Sequence, residues 1–151
     1  MIRKKIIAGN WKMNKTASEA HALVKSIMEV DINPSKKQVI VIPPQLYVSE
    51  FSKYKKEGFA IGAQNCHALS EGAFTGEISA PMLQSTGIEY CLVGHSERRK
   101  YFNETDADCL AKVRSLFASN IIPILCVGEE LNIRESNYHF QHVIHQLSVV
   151  Y

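Results

Sequence analysis

The sequence predicts an α/β fold built on a parallel sheet, and three features carry that expectation. Short runs rich in Ile and Val recur at residues 5–9, 38–42, 59–63, 90–93 and 121–127. Each is apolar almost throughout, the pattern of a strand covered on both faces. Segments with apolar residues at helical spacing separate these runs. Strand and helix therefore alternate five times, which points to right-handed crossover units on one sheet and leaves open sheet or closed barrel undecided.

The first run continues into GNWKMN, Gly9 to Asn14. Strand alternation puts Asn10 and Lys12 on one side and Trp11 and Met13 on the other, so two polar groups converge at the end of an apolar element. The helix over 17–30 carries Ala20, Leu23, Val24, Ile27 and Met28 as one stripe, and Thr16 with Glu19 supplies a capping box ahead of it. A second helix follows Pro43 and Pro44, with Leu46, Phe51 and Tyr54 as its expected buried positions. A weaker one spans 79–85. The strong pattern returns over 105–119 through Ala107, Leu110, Ala111, Val113 and Phe117, with Thr105 as N-cap. The last helix is expected from Asn132 onward, carrying Phe140, Val143, Ile144 and Leu147. Nothing in the series reads as a linker or a repeat, so residues 1–151 read as one domain or part of one. The final Gln146 to Tyr151 holds no helix stop signal, and the chain is expected to be cut off rather than finished.

A length of 151 residues suffices for a sizeable core. With 46% hydrophobic and 21% charged residues the composition excludes a disordered chain. The net charge is only +2 and the basic residues are scattered, which argues against a nucleic-acid partner. Behind the basic opening, the apolar run 6–8 is too short for a signal peptide or a membrane span, so a cytosolic protein without membrane contact is expected. Cys66, Cys91, Cys109 and Cys126 are widely spaced with no Cys-x-x-Cys pair, and they read as reduced core residues.

In parallel α/β architectures, ligands bind at the carboxyl ends of the strands. Asn10 and Lys12 lie there on the first strand, Gln64 and Asn65 on the third, His95 on the fourth, and Gly128 with Glu129 on the fifth. In VGHSERR, Val93 to Arg99, His95 leaves an apolar strand after Gly94, and Ser96 is the expected N-cap of a short helix behind it. The positive end of that helix opposes protonation of the imidazole, and a neutral ring at pH 7 donates to a carbonyl and passes protons between oxygens. Lys12 offers a fixed positive charge suited to a phosphate or an enediolate, braced by Glu97.

AGNWKMN at Ala8 to Asn14, AFTGEIS at Ala73 to Ser79, VGHSERR and CVGEE at Cys126 to Glu130 together resemble the triosephosphate isomerases, in order along the whole chain. The resemblance implies a TIM (β/α)8 barrel of which this chain covers about the first five βα units. It implies a homodimer that interconverts dihydroxyacetone phosphate and glyceraldehyde 3-phosphate through an enediol(ate), with no cofactor and no metal. On the matching motifs, Asn10 and Lys12 bind substrate, His95 is the electrophile, and Glu97 is the partner of the lysine. A neutral histidine at a helix N-terminus is a known property of that family, so the state expected for His95 is not independent of the resemblance. The loop holding Thr75, Gly76 and Glu77 resembles the one that reaches into the neighbouring subunit's site. Barrels of this kind have eight strands and about 250 residues. The later strands are missing here, and with them the glutamate base, the lid that carries it and the amides that grip the phosphate. Glu97 and Glu129 are the carboxylates on hand, and neither matches the base.

Other readings compete at several residues. His139, His142 and His145 have helical spacing and are expected on a solvated face, since no acidic or Cys ligand with fitting spacing accompanies them. Cys126 is expected to pack rather than react, Trp11 to be a core or interface aromatic, and Glu129 to be a buried supporting group without a catalytic role. For the whole molecule, an isomerase cut short competes with a non-catalytic half-barrel that binds sugar phosphates or serves as an assembly partner. A Schiff-base role for Lys12 lacks the apolar pocket such chemistry prefers.

Overall fold

The computed structural model describes residues 3–54 and 56–151. In chain order its elements are β1 (Lys5–Asn10), α1 (Ala17–Glu29), β2 (Lys37–Ile42), α2 (Gln45–Phe51), β3 (Phe59–Ala63), α3 (Ala80–Ser85), β4 (Tyr90–Val93), α4 (Ser96–Phe102), α5 (Asp106–Ala118), β5 (Ile122–Leu125), α6 (Leu131–Glu135) and α7 (His139–Val150). The strands form one sheet in the order β1-β2-β3-β4-β5, each pair parallel. Asn10 pairs with Ile42 and Val93 with Leu125, so the carboxyl ends gather at one end of the sheet. The arrangement is a half-barrel, five consecutive βα units of the eight that close a barrel.

Alternation along each strand divides the core into two layers. Val41, Ile61, Ala63, Cys91 and Val93 meet the helices through Val24, Val48, Phe51, Leu83 and Leu116. Ile40, Ile42 and Leu92 face the other way, with Tyr90, Ile124 and Cys126 beside them. Phe51 is fully buried at a crowded point: Trp11 meets it edge-on at 6.2 Å between ring centroids, and Tyr47 stacks on it at 5.7 Å.

Several expectations change here. The strand at residues 5–9 extends to Asn10, and instead of being covered on both faces it is exposed, with Ile6 and Ile7 more than half accessible. Among the described residues its one sheet neighbour is β2. The fifth strand is shorter than 121–127, ending at Leu125. Ile122 N–H donates to Glu89 C=O on the β4 side, so the N–H that Pro123 lacks would have pointed to the free edge, where a proline costs nothing. Leu46 is exposed, and Tyr47 and Val48 take its place beside Phe51. On α5 the buried face is Cys109, Lys112, Val113 and Leu116, so Phe117 and Ala107 turn outward. The last helix is two, α6 and α7, broken where Asn137 adopts φ 59°. Phe140, Ile144 and Leu147 on α7 are exposed, while Gln146 is buried. The α1 stripe follows the expectation, and the Glu19 carboxylate accepts from the Thr16 N–H at 2.8 Å.

Candidate functional site

The site begins where β1 stops. Asn10 Oδ1 accepts the Lys12 N–H at 2.9 Å, and Lys12 adopts φ 55°, a left-handed conformation that costs an L-residue about 1–2 kcal/mol. Lys12 is therefore not placed by strand alternation, as expected from sequence, but by a turn. Gln64, beyond the end of β3, holds that turn: its Nε2 donates to the carbonyls of Lys12 at 2.9 Å and Ile42 at 3.2 Å. The Lys12 ammonium reaches Glu97 Oε1 at 2.7 Å, with both side chains about half exposed. The hydrogen bond from Lys12 holds the Glu97 carboxyl below its ordinary value against the opposing effect of desolvation, and the charge of the ammonium adds to this.

His95 itself caps α4, and Ser96 is the helix's first residue, a shift of one position from the expected cap. Its Nδ1 accepts the Glu97 N–H at 3.3 Å. The Glu97 carboxylate lies 3.5 Å from the same nitrogen, long for an N–H to oxygen bond, so the backbone donor defines the ring's role. With Nδ1 as acceptor, Nε2 is the nitrogen that carries the proton.

Behind His95 lies a network that sequence reasoning missed. Gly94, at φ 71°, donates its N–H to Glu104 Oε1 at 2.9 Å and receives Arg99 Nε on its carbonyl at 2.8 Å. A side chain there has no room: an added Cβ would meet Cys109 Sγ at 2.8 Å and Arg99 Nη2 at 2.9 Å. The buried Glu104 also takes Arg98 Nε at 2.7 Å and the Lys112 ammonium, and Lys112 bridges on to Asn65 Oδ1 at 2.8 Å. Burial pushes the Glu104 carboxyl up, but the hydrogen bonds from Lys112 and Arg98 outweigh it and leave the group below its usual range. One signal was available: Lys112 sits on the apolar stripe of α5, and a lysine there demands a buried counter-charge.

Asn10, Lys12, Gln64, His95 and Glu97 line one cavity of about 760 Å³. Gly76 and Glu77 line it too, as part of this chain's own wall, while Thr75 stands exposed beside them. Glu129 is partly buried and pairs with Arg134 at 2.8 Å, apart from that cavity. Burial raises the Cys126 thiol, and Cys66, Cys91 and Cys109 are buried and free, with burial pushing Cys109 up to about 11. Trp11 packs against the main core. The three histidines of α7 do not share a solvated face: His145 is exposed, whereas His142 is half-buried against Gln146. Among the described residues no helix is long and apolar enough to cross a membrane.

The family model described as triosephosphate isomerase matches residues 5–151. The chain belongs to the triosephosphate isomerase family. It is 44% identical over 149 residues to the triosephosphate isomerase of Cytophaga hutchinsonii, covering 97% of this chain and 59% of that protein. The triosephosphate isomerase of Alkaliphilus oremlandii is 46% identical over 147 residues, with the same coverages, and that of Clostridium botulinum 47% identical over 137 residues, 90% of this chain and 55% of the relative. The chain thus spans somewhat over half the length of the triosephosphate isomerases it matches, in keeping with five strands of a barrel.

Proposed function

We propose that the whole protein to which these residues belong interconverts dihydroxyacetone phosphate and glyceraldehyde 3-phosphate, in the cytosol and as a step of glycolysis and gluconeogenesis. The convergence of Asn10, Lys12 and His95 on one cavity, in a chain of this family, is the observation that supports the reading. Isomerisation moves a hydrogen between two neighbouring carbons and a proton between their oxygens. When a base removes the carbon-bound proton, negative charge runs onto the carbonyl oxygen, where a fixed ammonium and an imidazole N–H stabilise it. Lys12 supplies the first and His95 Nε2 the second, and the imidazole passes the proton from one oxygen to the next. Asn10 orients the lysine turn as well as the substrate, and Glu97 holds the ammonium in place. No cofactor enters the reaction.

The base is the part these residues do not supply. At the strand ends Glu97 is engaged by Lys12 and Glu129 by Arg134, and Glu77, which also lines the cavity, lies on the loop after β3 and matches no base of the family. We assign proton abstraction to a carboxylate outside residues 1–151 of the whole protein, and we expect this chain by itself not to turn over. A homodimer accompanies the reading, with the exposed Thr75 of the loop reaching the partner's site while Gly76 and Glu77 line this chain's own cavity. The engagement of both carboxylates also favours a second reading, a half-barrel that holds sugar phosphates without turnover. A coupled assay of glyceraldehyde 3-phosphate formation separates them. Saturable turnover by the whole protein and none by the 151-residue chain is expected, whereas a whole protein that binds the triose without converting it belongs to the second reading.

A further inference from the structure

We propose that His142 and Gln146 form a pH-responsive clamp on the turn after β5, with His142 acting through Gln146 as a positioning residue for Gly128 and Glu129. Gln146 is the buried polar residue of α7, 3% exposed on a helix whose Phe140 and Ile144 face solvent. Its carboxamide takes both backbone groups of one residue: Gly128 N–H donates to Oε1 at 2.9 Å, and Nε2 donates to Gly128 C=O at 3.1 Å. That double bond pattern fixes which end of the amide is the NH2, because turning it over would set acceptor against acceptor and donor against donor.

The other hydrogen of the same NH2 faces His142 Nε2 at 3.0 Å, one helical turn earlier. An amide NH2 has only hydrogens to offer, so Nε2 must accept, and the ring is neutral with its proton on Nδ1. Protonating Nε2 puts an N–H against an NH2. Gln146 then has to give up either the ring or Gly128. The groups around His142 do not offset the new charge. Asp106 at the start of α5 is bound to Arg99 at 2.6 Å and lies 4.0 Å from His145, and Glu129 is bound to Arg134. Arg99 and Lys100 of α4 and Glu130 of the turn line the same cavity of about 890 Å³, and His139 and His145 flank the ring on α7. Among the described residues no carboxylate lies within ion-pairing distance of His142. His95 lines this cavity as well, so the clamp governs a turn on the wall next to the candidate site.

Amide hydrogen exchange of the segment 126–131, measured by mass spectrometry on the full-length folded protein, tests the proposal. After correction for intrinsic exchange, protection should fall roughly three- to tenfold between about pH 7.5 and about pH 5, as one hydrogen bond is lost. His142→Gln keeps an acceptor for Gln146 but no titration, and its protection should be the same at both pH values. Equal protection of the unsubstituted protein at both pH values overturns the proposal, as does a pH dependence that survives in His142→Gln. Ring 15N spectra of the unsubstituted protein give an independent readout: the Nδ1–H tautomer of His142 is expected at neutral pH, and the Nε2–H tautomer contradicts the clamp.

Discussion

Lys12 carries two demands, an ammonium over the cavity and a left-handed backbone that a lysine adopts at a cost. Separating them gives a sharp expectation. Lys12→Gly removes the charge and relieves the backbone, so it should raise the stability of the whole protein by about 0.5–1 kcal/mol in urea titrations while lowering isomerase kcat/KM about 10²–10³-fold. Lys12→Ala should lose the same activity without the gain in stability. Gly94 shows the opposite case, where the backbone and its surroundings admit no side chain. Gly94→Ala should cost about 1–3 kcal/mol from the φ alone, read as a lower urea midpoint, with the clash against Cys109 and Arg99 adding to it. Removing the charge of Glu104 leaves Lys112 buried without its counter-charge, so Glu104→Gln should destabilise by about 3–5 kcal/mol at neutral pH. The Glu104 carboxyl lies below its unfolded value in the folded protein, so its contribution is present above the ordinary glutamate range and is lost as pH falls through the folded value. The difference between Glu104→Gln and the parent, followed by denaturant melts at stepped pH, should therefore shrink on acidification below about pH 4 and stay constant above about pH 6.

The elements differ in how far their placement follows from local pattern. Helix α1 was legible in its start, stripe and capping pair, which are contained within one segment, and it ends one residue before the expected Val30. Strand ends were legible too, since a polar residue after an apolar run has one place to be, and Asn10 and His95 stand there. Lys12 was legible by type and not by path, because the turn that carries it depends on Gln64, fifty-two residues away. Of the Glu104 network only the need for a counter-charge to Lys112 was legible, not which carboxylate supplies it: that takes Asn103 in the left-handed conformation at the end of α4, which folds the Glu104 N–H back to the Arg98 carbonyl at 3.3 Å and turns its carboxylate under Gly94. On α5 the apolar count was right in kind but pointed at Phe117, because the face that packs is set by the sheet position and includes a lysine. Within the α2 element, Phe51 is the residue on which Trp11, Tyr47 and Tyr54 converge. Phe51→Ala should cost about 3–5 kcal/mol in chemical denaturation and reach the site through Trp11, the neighbour of Lys12.

At the scale of the molecule, the half-barrel has two outer strands, β1 and β5, and a sheet face whose apolar layer of Ile40, Ile42, Leu92 and Ile124 is one a closed barrel would fill. Ile6, Ile7 and Ile122 are accessible along those strands, and Phe140, Ile144 and Tyr151 add an open face on α7. The 151-residue chain expressed alone should therefore associate or aggregate as its concentration rises, in sedimentation velocity or light scattering. A monodisperse 17.0 kDa species with a single cooperative melt would contradict this. Through the loop Gly76–Glu77 and the α4 terminus the same half-barrel builds a wall around Asn10, Lys12 and His95, so the cavity to which the proposed reading assigns the triose is assembled within five βα units.

The central claim is that Asn10, Lys12 and His95 act together on one triose phosphate, and exchange of the carbon-bound hydrogen of dihydroxyacetone phosphate with deuterated solvent tests it most directly. The whole protein should catalyse that exchange, with His95→Gln and Lys12→Met each slowing it about 10²–10³-fold. Exchange at the parent rate in both variants would show that neither group meets the substrate.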